Sequence, residues 1–125
     1  AWIVSVVPRL RNHEARFVEM TTRVYGATWP TTRWRVDASA YANAGGGYTT
    51  SEGHIVIYAT DLGIQDLYAL ETLFHEVQHA EAVGGTIADT VERVFTAAGS
   101  KAPSNLWHAL IFATAGVAWT AWRSP

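Results

Sequence analysis

The 125-residue chain has no cysteine. Disulfides, cysteine-ligated zinc fingers and thiol catalysis are therefore excluded. The compartment stays open, because proteins on either side of a membrane can lack cysteine. A strong charge of either sign is also missing. The formal net charge of −2 gives no electrostatic footprint for nucleic acid or for an anionic membrane, and neither is expected as a partner. There is no repeat, linker or low-complexity tract. Disorder is excluded by composition, since 49% of residues are hydrophobic and 12% aromatic. The length suits one domain, residues 1–125, with a core of its own. An initiator methionine is lacking, and the chain begins Ala1-Trp2-Ile3. Residues 1–7 are too short for a signal peptide and carry no basic start. A trimmed chain and a mature exported form would both begin so, and export is the expectation.

One nearly uncharged stretch runs from Leu106 to Trp122, with Trp107 at one end and Trp119, Trp122 and Arg123 at the other. It imitates a membrane span with an aromatic belt, but its length is at the lower limit. His108, Thr114, Gly116 and Thr120 interrupt it. A helix apolar all round in a small protein is expected to be a core helix, so membrane insertion is not expected.

The rest of the chain divides by periodicity. Trp2 to Val7 is β-branched and is expected as a buried strand. Asn12 is expected to cap a helix through Tyr25, with Phe17, Met20 and Val24 on one side, Gly26 as its stop and Pro30 beyond. Thr31 to Ala40 and Gly53 to Thr60 are expected as strands, and Ala44 to Gly47 as a turn or loop without phosphate-binding character. A helix should run from about Ile64 to Val83, ended by Gly84-Gly85. Thr86 with Asp89 resembles a capping box for a helix to Ala98 that buries Ile87, Val91, Val94 and Phe95. Pro103-Ser104 opens the last helix. The expected fold class is α+β, with a small three-stranded mixed sheet covered by helices.

Against this background the most informative segment is His75-Glu76-Val77-Gln78-His79, an HExxH pentad on the long helix. Residues four apart lie on one helix face about 6 Å along the axis, so two imidazoles can meet on one tetrahedral Zn²⁺. Glu76 can reach a water at the metal without being a ligand. Imidazole also suits a borderline-soft ion. On the helical wheel Leu67, Leu70, Phe74 and Val77 form the apolar stripe. His75 and His79 fall within about 40° of each other on the opposite side. They must face a space that another element covers. A pair of core histidines would lie on the stripe itself.

The pentad, on a helix after a β-α-β-β order whose last strand runs just ahead of it, resembles the zincin metallopeptidases over roughly residues 2–83. The resemblance implies that His75 and His79 bind Zn²⁺ and that Glu76 is general base and proton shuttle. It also implies that the strand Gly53–Tyr58 is the edge strand against which a peptide substrate lies. The metzincin pattern is excluded, because Ala82 and Gly85 stand where its Gly and third His would be. A gluzincin would use Glu92 as third ligand. Gly85-Thr86-Ile87-Ala88-Asp89 is similar to the aspzincin GTxxD element, although Asp89 follows His79 closely and helix capping explains it better. His108 is the preferred third ligand, with Glu92, Asp89 and His54 as alternatives. Its surroundings, Leu106-Trp107-His108, resemble the last helix of small bacterial HExxH proteins. The acidic residue of their Thr-Gly-Glu-like run is absent from Thr114-Ala115-Gly116-Val117. Tyr48 and Tyr68 are weaker candidates for holding an oxyanion, and Glu71 and Glu81 are expected to be solvated or capping groups.

The expected function is zinc-dependent peptide hydrolysis with a peptide or protein substrate. A second reading is a zinc-containing domain that binds peptides without cutting them. A third is a protein attached to a membrane by its last helix. An open metal position in a groove beside Gly53–Tyr58 favours the enzyme, and a fourth protein ligand favours the binder.

Overall fold

Apolar residues at four-residue steps decide the start of the chain. The computed structural model describes residues 1–26, 28–29, 33–51 and 53–123, apart from the side chains of Trp119 and residues 121–123. Within it α1 runs from Trp2 to Tyr25. The strand expected at Trp2 to Val7 is therefore helical, and Asn12 caps nothing. Trp2, Val6 and Leu10 fall on one face with Phe17 and Thr21, and that face joins the main core. β-branched residues cost a helix only a few tenths of a kcal/mol each. Burying one apolar side chain returns about 1.5–3 kcal/mol. Burial wins, even with Pro8 inside the helix. Gly26 ends α1 as expected, in the left-handed conformation with its N–H on the Thr22 carbonyl. Val24, expected on the buried side, is exposed. Pro30, Thr31 and Thr32 lie outside the described residues.

Among the described residues the sheet has three strands, β1 (Arg35–Ser39), β2 (Gly47–Ser51) and β3 (His54–Tyr58), in the order β1-β3-β2. β1 pairs with β3 in parallel, and β2 pairs with β3 antiparallel, with a register irregularity between Thr49 and Ser51. The sheet is mixed, and the fold is α+β. Two corrections follow. The glycine run was expected to be only a loop, yet its last residue, Gly47, begins a strand. The strand Gly53–Tyr58, expected at an edge, is central; the edge on the side of the pentad is β2. Gly46 lets the chain turn into β2, because a Cβ there would stand 2.4 Å from Ile64 Cδ1 and its φ is +86°.

Ile55 and Ile57 of β3 point into the core and meet α2 (Asp66–Val77) through Ala69, Leu70, Leu73 and Phe74. Phe74 stacks on Phe17 of α1, with ring centroids 4.1 Å apart. α2 stops well before Val83: one tightened turn carries Gln78 and His79, and a π-helical turn spans Glu81–Gly85. α3 (Thr86–Ala97) follows directly. Its expected capping box does not form, for Thr86 Oγ1 donates to the Ala82 carbonyl instead. Ile87 is buried and Val94 is exposed. The last helix, α4 (Leu106–Arg123), buries only Ile111, Ala115 and Ala118 among its described side chains, while Leu110, Phe112 and Val117 are exposed. It is thus a partly covered flank and not the apolar centre expected. Among the described residues no helix is long and apolar enough to cross a membrane. The aromatic belt expected at Trp119, Trp122 and Arg123 rests on side chains outside the described set.

Candidate metal centre

α4 runs across the C-terminal end of α2 and supplies what the pentad lacks. His75 stands in the last turn of α2, and the tightened turn that follows the helix, with His79 N–H on the Glu76 carbonyl at 3.1 Å, keeps His79 one turn further along. Their Nε2 atoms stand 3.3 Å apart. Two nitrogens bound tetrahedrally to zinc at about 2.0–2.1 Å would be about 3.3 Å apart. His108 enters from the first turn of α4, its ring 5.0 Å from that of His75 and 5.1 Å from that of His79. One ligand atom from each of the three lies within 4.8 Å of the others, and together they could hold a metal ion. Phe112 packs edge-on against His75, and Trp107 edge-on against His79.

The electrostatics suit that role. Burial pushes His75 down to about 4, with His79 and His108 nearby adding to the effect. Burial and then His108 lower His79 as well. Imidazoles kept neutral in this way keep a lone pair free for a cation. His75 Nδ1 is buried and has no hydrogen-bond partner among the described residues. The donor set, three imidazoles without thiolate, fits zinc or another borderline divalent ion.

Glu76 is buried beside the cluster. Its carboxylate Oε2 is 2.9 Å from Thr49 Oγ1, and the same hydroxyl donates to the Glu76 carbonyl at 2.8 Å. Burial pushes the Glu76 carboxyl up, which the Thr49 contacts and His108 only partly offset. All four side chains line one open groove of about 540 Å³, whose other wall is β2 from Gly47 to Ser51. The groove lies beside β2 and not beside Gly53–Tyr58. The chain matches no family model, no curated protein and no solved structure.

The alternative third ligands fall elsewhere. Asp89 and Glu92 are exposed on α3, outside the cluster. His54 is engaged across the sheet, its Nε2 3.1 Å from Asp37 Oδ2 and its Nδ1 2.6 Å from Thr50 Oγ1. Tyr48 lines the groove, whereas Tyr68 lines an adjoining cavity. Glu81 is exposed. Glu71, expected to be solvated, is half-buried against α4.

Sequence reasoning missed Thr49 and Gln78. Thr49 could not be found, because no element was expected between the loop at 44–47 and the strand from Gly53. Gln78 stands inside the pentad itself. It is fully buried, and its Nε2 donates to the carbonyls of Phe74 on α2 and Ile111 on α4. A glutamine on the buried side of a helix was the available signal, since buried amides are normally tied to a neighbour.

Proposed function

We propose that this chain is a zincin-like hydrolase that holds Zn²⁺ through His75, His79 and His108 and cleaves peptide bonds, with Glu76 as general base. The observation that carries the reading is the placement of the Glu76 carboxylate, tethered by Thr49, in the same groove as the three imidazoles. Zinc, when bound, supplies a Lewis acid and brings the pKa of a water to about 7. Glu76 takes the proton of the attacking water and returns it to the leaving amine. Its raised affinity for a proton suits that exchange, and Thr49 keeps the carboxylate aimed. Tyr48, on the groove wall, is the candidate to hydrogen-bond the developing oxyanion.

The partner is a peptide or protein segment in extended form. β2 offers it the free side of an edge strand, where backbone bonds give affinity and side-chain pockets give choice.

Glu76→Gln should keep full zinc and lose hydrolysis by about 10²–10⁴-fold, the usual worth of a general base. His75→Ala and His79→Ala should lose the metal. Metal analysis paired with digestion of a peptide library checks both. Normal turnover by Glu76→Gln removes Glu76 from the mechanism, and full zinc in both histidine variants ends the metal reading. Zinc-dependent peptide binding without cleavage moves the chain to the non-catalytic reading.

A further inference from the structure

A second cavity, of about 290 Å³, adjoins the groove, and His75 and Phe112 line both. Its walls are mainly apolar, drawn from Ile64, Tyr68 and the Phe112 ring, and Thr72 spends its hydroxyl on the Tyr68 carbonyl. Its one carboxylate is Glu71, one helical turn before His75. On the side of α4 that carboxyl lies against Gly116, where a Cβ would stand 3.4 Å from Glu71 Oε1, an ordinary contact. Glu71 has no ion pair or hydrogen bond among the described residues. A carboxylate partly withdrawn from water and without a donor costs the fold something. An apolar recess beside a metal centre, holding one such charge, has the form of a site for a cation on an aliphatic stem.

We propose that this cavity is a side-chain subsite of the groove and takes a lysine or arginine of the bound peptide, with Glu71 as its counter-charge. The inference rests on the reading of the groove as a peptide site and adds the class of side chain it selects. The stem would lie against Ile64 and Phe112, and the head would supply the donors that Glu71 lacks.

The test uses the zinc-loaded chain and two hydroxamates, which chelate zinc and differ only in the charged tip: Nα-acetyl-lysine hydroxamate and Nα-acetyl-norleucine hydroxamate. Calorimetry on the wild type should favour the lysine compound by roughly tenfold or more, as a charge-assisted contact gives. Glu71→Gln should bring the two affinities within about threefold while binding zinc as the wild type does. Equal affinities in the wild type overturn the proposal, as does a preference that survives in Glu71→Gln. A roughly tenfold fall in zinc affinity in that variant also overturns it, because Glu71 would then act on His75 and not on a ligand. A wild-type chain that holds no zinc overturns the reading of the groove itself, and the subsite with it.

Discussion

Glu71 and Glu76 stand on one helix, and the protein treats them differently. Both carboxyls are pushed up by burial, but Thr49 tethers Glu76, while no described residue answers Glu71. For Glu71 the consequence can be measured without any activity. Its raised value means that the folded chain binds the proton more tightly than the unfolded chain does. Its contribution to stability is therefore fully present below the ordinary carboxylate value and is lost as pH rises through the folded value. At pH 7 the native state carries the whole penalty. Glu71→Gln should thus raise the melting temperature at pH 7. The gain is about 0.5 kcal/mol or less, since the group is partly open to solvent. It should vanish near about pH 4. A variant less stable than the wild type at pH 7 would mean that Glu71 makes a stabilising contact, which contradicts its unpaired state. At this scale the site was largely legible. His75, Glu76 and His79 follow from spacing, and His108 from the need of that pair for a third ligand, against the ordinary reading of a lone histidine in an apolar run as a core residue. Thr49 was hidden, because a threonine carries no signal unless its strand is known to face the helix.

Elements were less legible than residues, for reasons of packing. The β-branched run at Trp2–Val7 has strand propensity, and nothing local reveals that its four-residue spacing will be buried on α2. β2 fails in the opposite sense. It is polar and glycine-led, and it is a strand because it pairs with β3, which local sequence does not contain. The end of α2 is the element boundary with most consequence. Gly84, in the π-helical turn, lies so near that a Cβ would meet the Gln78 carbonyl oxygen at 2.8 Å, with the His79 backbone just behind. Backbone cannot swing aside as a side-chain tip can. Gly84→Ala should cost about 1–3 kcal/mol, as overpacking does. It should also weaken zinc binding roughly tenfold by moving His79. Gly85→Ala is the control: its nearest neighbours are the end atoms of the exposed Glu81 side chain, which can turn away. Thermal melts and zinc titrations on both variants check this. Equal behaviour would show that the turn does not hold His79 in place.

The whole molecule is built as two unequal bodies of packing, and the histidine cluster lies across their junction. One is the main core of α1, α2 and β3, with Phe17, Leu70 and Ile55 fully enclosed and Ala118 of α4 added to it. The other is a small cluster of Val83, Ile87 and Ile111 that joins α3 and α4. α4 brings modest apolar area to the core, because two of the three buried residues among its described side chains are alanines and Leu110, Phe112 and Val117 are exposed. Besides Ala118 in the main core, α4 is fastened to α2 by the Gln78 bond to the Ile111 carbonyl and by the meeting of His108 with His75 and His79. A bound ion would therefore act as a clamp. At a free concentration of 100 times the dissociation constant it adds about 2.7 kcal/mol to the folded state. That stabilisation should not be spread evenly. Removing zinc with a chelator should speed amide hydrogen exchange at Ile111 and Ala115 in α4 and leave Ile55 and Ile57 of the central strand protected. His108→Ala should reproduce the α4 pattern with zinc present, since His75 and His79 both belong to α2 and its closing turn and cannot span the gap alone. Exchange that accelerates equally in β3 and α4 would mean that the ion supports the fold as a whole. Exchange unchanged in both would mean that α4 holds its place without it.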